Sequence, residues 1–277
     1  MLLICFLLVT VVSGGIAGYW YYQHTTQVEP ALQSVRDTAK EVDIRIAEIE
    51  AKKKEPVFIT LPSAAPIRAI VEDYNSPSSL WTMVNKSRSL PIDYKPSSLT
   101  IPDVPTRTDK TNDERSIRSD ITKNLEALFA AAKADGHELM IGSAYRSADL
   151  QAAYFNSYAA SSGLAAANQY SAKPGQSEHQ LGLAVDISTL SRQCYLSECF
   201  TTTPDGEWLA THAHEYGFHL RYIKGKEAIT GYNFEPWHYR YIGVDLATAL
   251  YESELTLEEA WPQLETALKT LKNNRAL

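Results

Sequence analysis

The segment SEHQLGLAVDI, residues 177–187, limits the fold most strongly, because it sets His179 and Asp186 seven residues apart in a largely apolar, glycine-marked stretch. Burying an imidazole or a carboxylate without a partner costs on the order of 2 kcal/mol or more. The odd separation also prevents a single strand from presenting both side chains on one face. We therefore expect a turn at Gly182 that brings His179 to the side faced by Ala184 and Asp186.

A second polar cluster, EPWHYR, places Glu235 three residues before His238. Two imidazoles and one carboxylate form the usual ligand set of a catalytic zinc ion, which leaves a fourth position open for water. A carboxylate that does not bind the metal can then carry protons, and Glu235 suits this task. Spacing alone does not exclude a plainer interpretation, in which the histidines are hydrogen-bonded core residues and the aspartate caps a helix.

The length and charge of the whole chain restrict its organisation and its partners. At 277 residues the chain exceeds one typical domain of ~100–150 residues, which favours a core domain with appended segments. It has 26 basic and 33 acidic residues, a formal charge of -7 and no extended basic run. Nucleic-acid binding relies on clustered Lys and Arg, so we expect no nucleic-acid partner.

Residues 1–22 contain no Asp, Glu, Lys or Arg. A helix of this length, at ~1.5 Å per residue, spans the ~30 Å hydrocarbon core of a bilayer. Tyr19 and Trp20, followed by two more tyrosines, would lie at one membrane interface. We predict a single-pass transmembrane anchor in the cell membrane, with the rest of the chain outside the cytoplasm. A cleaved signal peptide is the alternative.

Residues 23–55 are predicted to form a helical stalk. Apolar side chains recur there at the spacing of a heptad seam, with charged residues between them. The seam consists of Leu32, Val35, Ala39, Val42, Ile46 and Ile49. A short coiled coil, which would make the chain a homodimer, and a single amphipathic helix packed on the main domain both fit this pattern. Residues 56–79, which contain several prolines, are predicted to be a linker.

The chain has 3 cysteines. Cys5 lies within the apolar N-terminal segment and is expected to be an unreactive thiol. Cys194 and Cys199 share the short segment CYLSEC, and in an exported domain this arrangement predicts a local disulfide. Free thiols are the alternative, and two cysteines are too few for a zinc site.

Capping residues and helical apolar spacing predict three helices in the main domain, residues 80–257. The first helix would begin at the Thr111–Glu114 capping box and end at Gly136. The second would follow a cap at Ser147 and run through Ala160. The third would begin at Thr203–Pro204 and end near Gly217. Residues 164–178 are predicted to be a polar loop. The apolar and aromatic segments ELMIGSAYRS, FHLRYI and WHYRYIG are predicted strands. Helices and strands without regular βαβ alternation indicate an α+β fold with an antiparallel sheet.

Residues 258–277 are predicted to form a C-terminal helical tail. Thr256 and Glu259 make a further capping pair, but a proline inside a helix removes a hydrogen bond and clashes with the preceding turn. Because Pro262 follows so closely, we expect a short turn and then a helix over residues 263–273.

The literal residues of these segments resemble one known family. The pattern S-x-H-x-x-G-x-A-x-D is present as Ser177, His179, Gly182, Ala184 and Asp186, and E-x-W-H as Glu235, Trp237 and His238. Together they closely resemble the LAS-type zinc peptidases, and within them the VanY-type D-alanyl-D-alanine carboxypeptidases. The segments SAYRSADLQ (143–151) and VNKSRSLPIDYKP (84–96) add to a resemblance that covers residues 80–257.

The resemblance implies roles for individual residues. His179, Asp186 and His238 would bind Zn²⁺, and Glu235 would be the general base. Arg146 would lie beside the metal, where its permanently charged fork could pair with a substrate carboxylate or with oxygen charge that develops in the transition state. Four further residues are expected to contact substrate: Ser177, Gln151, Ser143 and Tyr145.

The resemblance also implies a fold and an activity. The fold would be a LAS-type zinc peptidase domain with a small antiparallel sheet flanked by helices, preceded by the transmembrane helix and the stalk. The activity would be removal of the C-terminal D-alanine from peptidoglycan stem peptides. L,D-carboxypeptidase action on tetrapeptide stems is an alternative, because the same zinc apparatus serves either stereochemistry. A cell-wall-binding module with a structural zinc is an alternative of another class, but such a module has no need for Glu235.

Overall fold

A computed structural model describes residues 33–45 and 74–275 of the chain, which divides into two units, Met1–Val57 and Phe58–Leu277. In the first unit, residues 33–45 form helix α1, whose side chains are exposed. The predicted anchor, residues 1–22, lies outside the described residues, as do most of the predicted stalk and linker. Among the residues that are described, no helix has both the length and the apolar character needed to cross a membrane.

The second unit has an α+β fold, as predicted, in which short strands alternate irregularly with helices. The strands are β1 (Leu99–Thr100), β2 (Ile117–Arg118), β3 (Leu139–Ser143), β4 (Ala184–Thr189), β5 (Phe218–Leu220) and β6 (His238–Tyr241). The helices are α2 (Thr122–Ala134), α3 (Ala148–Ser162), α4 (Leu164–Tyr170), α5 (Pro204–His212), α6 (Glu227–Thr230), α7 (Val244–Ser253) and α8 (Leu257–Arg275).

Four of the strands form an antiparallel sheet in the order β3-β4-β6-β5, while β1 and β2 form a separate pair. The strand β4 lies inside the sheet, so both of its edges are hydrogen-bonded. In the register of these strands, Asp186 faces Ser143 of β3 on one side and His238 of β6 on the other. The sheet therefore holds residues from three distant segments next to one another.

Two clusters of apolar side chains form the core of this unit. One cluster joins helices α2 and α5 to the sheet through residues such as Leu125, Leu128 and Val185. A second cluster packs α7 and α8 together with Tyr74 and Trp81. The C-terminal helix is thus part of the core of this unit, and so is Tyr74, which falls within the predicted linker, residues 56–79.

The helix expected after Thr111 begins later than predicted. The capping box is present, because the backbone N–H of Thr111 donates to Glu114 Oε2 at 3.1 Å and the N–H of Glu114 donates to Thr111 Oγ1 at 3.2 Å. It encloses only a 3-10 turn, Asp113–Arg115. Residues 117–118 pair with β1 as a strand, and this long-range pairing delays the helix until Thr122.

The predicted loop at residues 164–178 contains helix α4. The helix α3 starts after Ser147, whose side chain accepts from Leu150 N–H, and ends at Gly163, as predicted. Gly163 adopts φ 84° and lets a second helix begin at once. The rings of Tyr158 and Tyr170 meet edge to face, with centroids 5.3 Å apart, and this contact packs the short helix against α3.

The C-terminal helix also differs from the prediction, since α8 runs continuously through Pro262. The predicted capping pair is formed, with Thr256 N–H donating to Glu259 Oε2 at 2.9 Å. A proline costs the helix one backbone hydrogen bond. Burial of Leu257, Trp261 and Leu264 against α7 offsets that loss.

Candidate metal centre and substrate cavity

The predicted turn at Gly182 is present. Residues Glu178–Leu181 form a 3-10 turn that ends at Gly182 in the left-handed conformation, with φ 68°. His179 therefore lies on this turn rather than on a strand, and its Nε2 comes within 3.3 Å of Asp186 Oδ2. A turn changes the direction of the chain, and so it brings together side chains whose odd spacing would separate them along one strand.

His238 completes a cluster of three buried side chains. Its Nδ1 lies 3.2 Å from Asp186 Oδ1, and one ligand atom from each of His179, Asp186 and His238 lies within 4.8 Å of the others. In a tetrahedral zinc site with bonds of ~2.0–2.1 Å, the ligand atoms are ~3.3 Å apart. The donor types and their separations therefore fit a zinc ion held by three protein ligands.

The hydrogen-bond partner of His179 fixes which of its nitrogens faces this cluster. Its Nδ1 lies 2.6 Å from the carbonyl oxygen of Ala144, and only a protonated Nδ1 can donate to a carbonyl. The unprotonated Nε2 is thus directed to Asp186. Burial lowers the pKa of His179, which favours the neutral form that metal binding requires.

Glu235 is a largely buried carboxyl group, 12% exposed, beside the cluster but separate from it. Its Oε2 lies 3.8 Å from His238 Nδ1, and its backbone N–H donates to the carbonyl oxygen of Tyr222 at 3.2 Å. Burial raises the pKa of Glu235 to about 8, since the positive charge of His238 only partly opposes it. A divalent cation nearby would lower this pKa again, so Glu235 is placed to gain and lose a proton near neutral pH.

Arg146 also lies beside the cluster, with Nη2 3.6 Å from Asp186 Oδ2. It donates to Gln151 Oε1 at 2.9 Å and to Ser143 Oγ at 3.1 Å. Its guanidinium also packs over the ring of Tyr154, 5.0 Å from the centroid. These contacts hold the fork in one orientation, and Ser143 and Gln151 thus orient Arg146.

These residues open into a cavity of about 360 Å³. Ser177 and Gln151 line it, as expected of substrate-contacting residues. Ser143 does not line it, and its link to the cavity is the hydrogen bond that it accepts from Arg146. Tyr145 does not line it. Its ring is buried at 1% exposure and lies beside Lys95. The structure thus gives no support for the predicted substrate contact by Tyr145.

The cavity also contains residues that lie outside the sequence motifs. Besides Trp237 of the E-x-W-H motif, five aromatic side chains form much of its wall: Tyr158, Tyr170, Tyr222, Tyr232 and Phe234. They come from distant segments, and no local pattern marks them. A disulfide joins Cys194 to Cys199, and the loop that it closes adds Leu196 and Glu198 to the wall.

Comparison with known proteins agrees with this geometry. Residues 114–244 match the family model VanY, D-alanyl-D-alanine carboxypeptidase. The "Putative carboxypeptidase YodJ" of Bacillus subtilis (strain 168) is 42% identical over 195 residues, which cover 70% of this chain and 71% of that protein. The chain belongs to the VanY family of carboxypeptidases. The prediction from the two motifs is thereby confirmed.

Two solved structures of VanY-like enzymes share the fold. The LdcB LD-carboxypeptidase has a TM-score of 0.64 and 43% identity, covering 68% of this chain and 87% of that chain. A mutant of the vancomycin resistance D,D-pentapeptidase VanY, in complex with Zn(II), has a TM-score of 0.55 and 33% identity, covering 66% of this chain and 98% of that chain. The VanY family fold therefore occurs both in an LD-carboxypeptidase and in a D,D-pentapeptidase.

Proposed function

We propose that this chain is a zinc-dependent carboxypeptidase that removes the C-terminal D-alanine from peptidoglycan stem peptides. One observation carries the proposal: a three-ligand cluster, a free buried carboxyl group and a single guanidinium lie in the same cavity. A structural metal site needs no proton carrier and no anion receptor beside it. Membership of the VanY family supports the same activity.

Glu235 is the proton carrier of this mechanism. His179, Asp186 and His238 would hold zinc, which when bound would polarise a substrate carbonyl and acidify water. Glu235 accepts the proton that the attacking water loses and delivers it to the nitrogen of the leaving amine. Its burial and its position 3.8 Å from His238 place it beside the reacting atoms without making it a ligand.

Arg146 receives the C-terminal carboxylate of the substrate. It is the one Lys or Arg side chain among the described residues that line the cavity. A fixed guanidinium fork binds a carboxylate through two parallel hydrogen bonds. This pairing selects a free C-terminus, and it places the last peptide bond of the substrate next to the metal ligands.

The decisive experiment measures release of D-alanine from a synthetic stem pentapeptide with and without a chelator. We expect release that stops when zinc is removed and returns when zinc is restored. Release that continues in the zinc-free protein would overturn the proposal. Tight binding to purified wall fragments without any release, even after zinc loading, would instead favour a wall-binding module.

L,D-carboxypeptidase action on tetrapeptide stems is the second candidate. The observation that favours it is the higher similarity to the LdcB LD-carboxypeptidase, at 43% identity, than to the D,D-pentapeptidase VanY, at 33%. The same zinc apparatus can serve both substrates. Mass spectrometry of the products from a pentapeptide and from a tetrapeptide, at equal concentrations, separates the two activities.

We also propose that residues 1–22 anchor the enzyme in the cell membrane, with the catalytic unit outside the cytoplasm and the stalk joining two copies. The uncharged N-terminal segment and the disulfide between Cys194 and Cys199 support export, because disulfides persist in oxidising compartments. Membrane fractionation and the intact mass of the mature protein test the anchor. Sedimentation of the chain with and without residues 23–55 tests the homodimer.

A further inference from the structure

A network of buried charges lies directly behind the metal cluster. Glu178 Oε1 accepts hydrogen bonds from Arg221 Nε at 2.9 Å and from Arg240 Nη1 at 2.8 Å. All three of these side chains are fully buried. Arg221 also binds both carboxylate oxygens of Glu258 on helix α8, each at 2.6 Å. Two arginines thus hold one oxygen of Glu178 in place and leave its other oxygen free.

That second oxygen faces His238. Glu178 Oε2 lies 3.7 Å from His238 Nε2, and neither atom has a hydrogen-bond partner in the described part of the chain. The opposite nitrogen of the ring, Nδ1, is the one near Asp186. The ring of Tyr222 lies 4.9 Å from that of His238 and limits how far the imidazole can turn.

We propose that Glu178 is a positioning residue that accepts a hydrogen bond from Nε2–H of His238. Holding the proton on Nε2 leaves the lone pair of Nδ1 for the metal, because the hydrogen bond at one imidazole nitrogen sets the role of the other. The carbonyl of Ala144 does the same for His179 from the opposite nitrogen. This inference rests on the proposed zinc site and adds a residue that holds one of its ligands.

The substitution Glu178→Gln tests the inference. The amide oxygen can keep the bonds to Arg221 and Arg240, and the amide NH₂ then faces His238, where it favours the tautomer with the proton on Nδ1. Glu258→Gln is the matched control, because it removes a carboxylate from the same Arg221 without contacting His238. Each variant is compared with the wild-type protein for zinc affinity, by competition with a chromophoric chelator, and for thermal unfolding.

We expect Glu178→Gln to weaken zinc binding about 10- to 100-fold, as substitutions of residues that support a metal ligand do. Glu258→Gln should change zinc affinity by less than about threefold, even where it lowers the unfolding midpoint, because it does not touch His238. Equal zinc affinities in Glu178→Gln and wild type would overturn the inference. So would equal weakening in both variants, since that would indicate a general loss of stability.

A measurement on the wild-type protein keeps the inference testable if Glu178→Gln does not fold. In ¹⁵N NMR spectra of the zinc-loaded protein, His238 should carry its proton on Nε2 and His179 on Nδ1. A proton on His238 Nδ1 would refute the inference. Both measurements are independent of D-alanine release, so failure here and failure of the proposed activity are distinguishable.

Discussion

Asp186 lies directly opposite His238 in the register of strands β4 and β6, and its Oδ1 is 3.2 Å from His238 Nδ1. Two of the three metal ligands are thus set by strand pairing. The third, His179, is set by the turn at Gly182. A slip of one residue between these strands would place Asp186 and His238 on opposite faces of the sheet, so the metal site depends on the sheet as a whole.

Glu235→Gln should abolish most of the activity while leaving zinc in place. The amide cannot accept a proton from water, and loss of a general base typically costs about 10²- to 10⁴-fold in rate. Zinc content should match that of the wild type, because Glu235 is not among the clustered ligand residues. Glu198→Gln, in the wall of the same cavity, is the control for lost negative charge. The check is kcat for D-alanine release together with metal analysis.

Arg146→Lys should weaken the recognition of a free C-terminus. Lysine keeps the charge but lacks the planar fork that Ser143 and Gln151 orient. The loss of a charged hydrogen bond, about 1.5–3 kcal/mol, corresponds to roughly 10- to 150-fold in kcat/KM. Wild-type enzyme should discriminate strongly against a C-terminally amidated peptide, and the variant should discriminate much less. Equal discrimination by the two enzymes would contradict the role given to Arg146.

Gly182→Ala should destabilise the protein and weaken zinc binding together. The residue adopts φ 68°, and an added Cβ would lie 3.1 Å from Leu99 and 3.2 Å from Arg118. We expect a loss of about 1–2 kcal/mol from backbone strain and crowding, and displacement of His179. Gly136→Ala is the control, because Gly136 also has positive φ but no atom within 4 Å of an added Cβ. Thermal unfolding and chelator competition, measured on both variants, separate strain from damage to the site.

Glu114 should make stability depend on pH in the acid range. Burial alone would raise the pKa of Glu114. Hydrogen bonds from Lys110 and Tyr154 outweigh this effect and lower the pKa to about 2. Because the pKa in the folded state lies below the ordinary value of 4.5, the stabilisation is complete above about pH 4.5 and is lost as the pH falls towards 2.

Replacing this carboxylate should therefore flatten the acid limb of the stability curve. Glu114→Gln should lower the free energy of unfolding by about 2 kcal/mol at pH 7 and by much less near pH 2. Denaturant titrations at several pH values check this. The control is Glu126→Gln, whose carboxylate accepts from an exposed backbone N–H. A variant whose stability fell in parallel with the wild type between pH 4.5 and 2 would argue against the role of Glu114.

Sequence alone was sufficient for features that depend on adjacent residues. The caps at Ser147 and Thr256, the turn at Gly182 and the end of α3 at Gly163 all follow from local hydrogen bonds and backbone conformation. The residues of two motifs, S-x-H-x-x-G-x-A-x-D and E-x-W-H, were enough to predict the VanY family. These features need no knowledge of the rest of the chain.

Only the tertiary structure decided how distant segments meet. Residues 117–118 became a strand because residues 99–100 pair with them, although helical spacing predicted otherwise. Pro262 stays inside a helix because its helix neighbours Trp261 and Leu264 are buried in the core. Arg221 and Arg240, which hold Glu178, lie far from it in the sequence. The aromatic side chains that line the cavity also come from distant segments. Long-range pairing and packing energies outweigh local preference at these positions, and a linear pattern does not contain them.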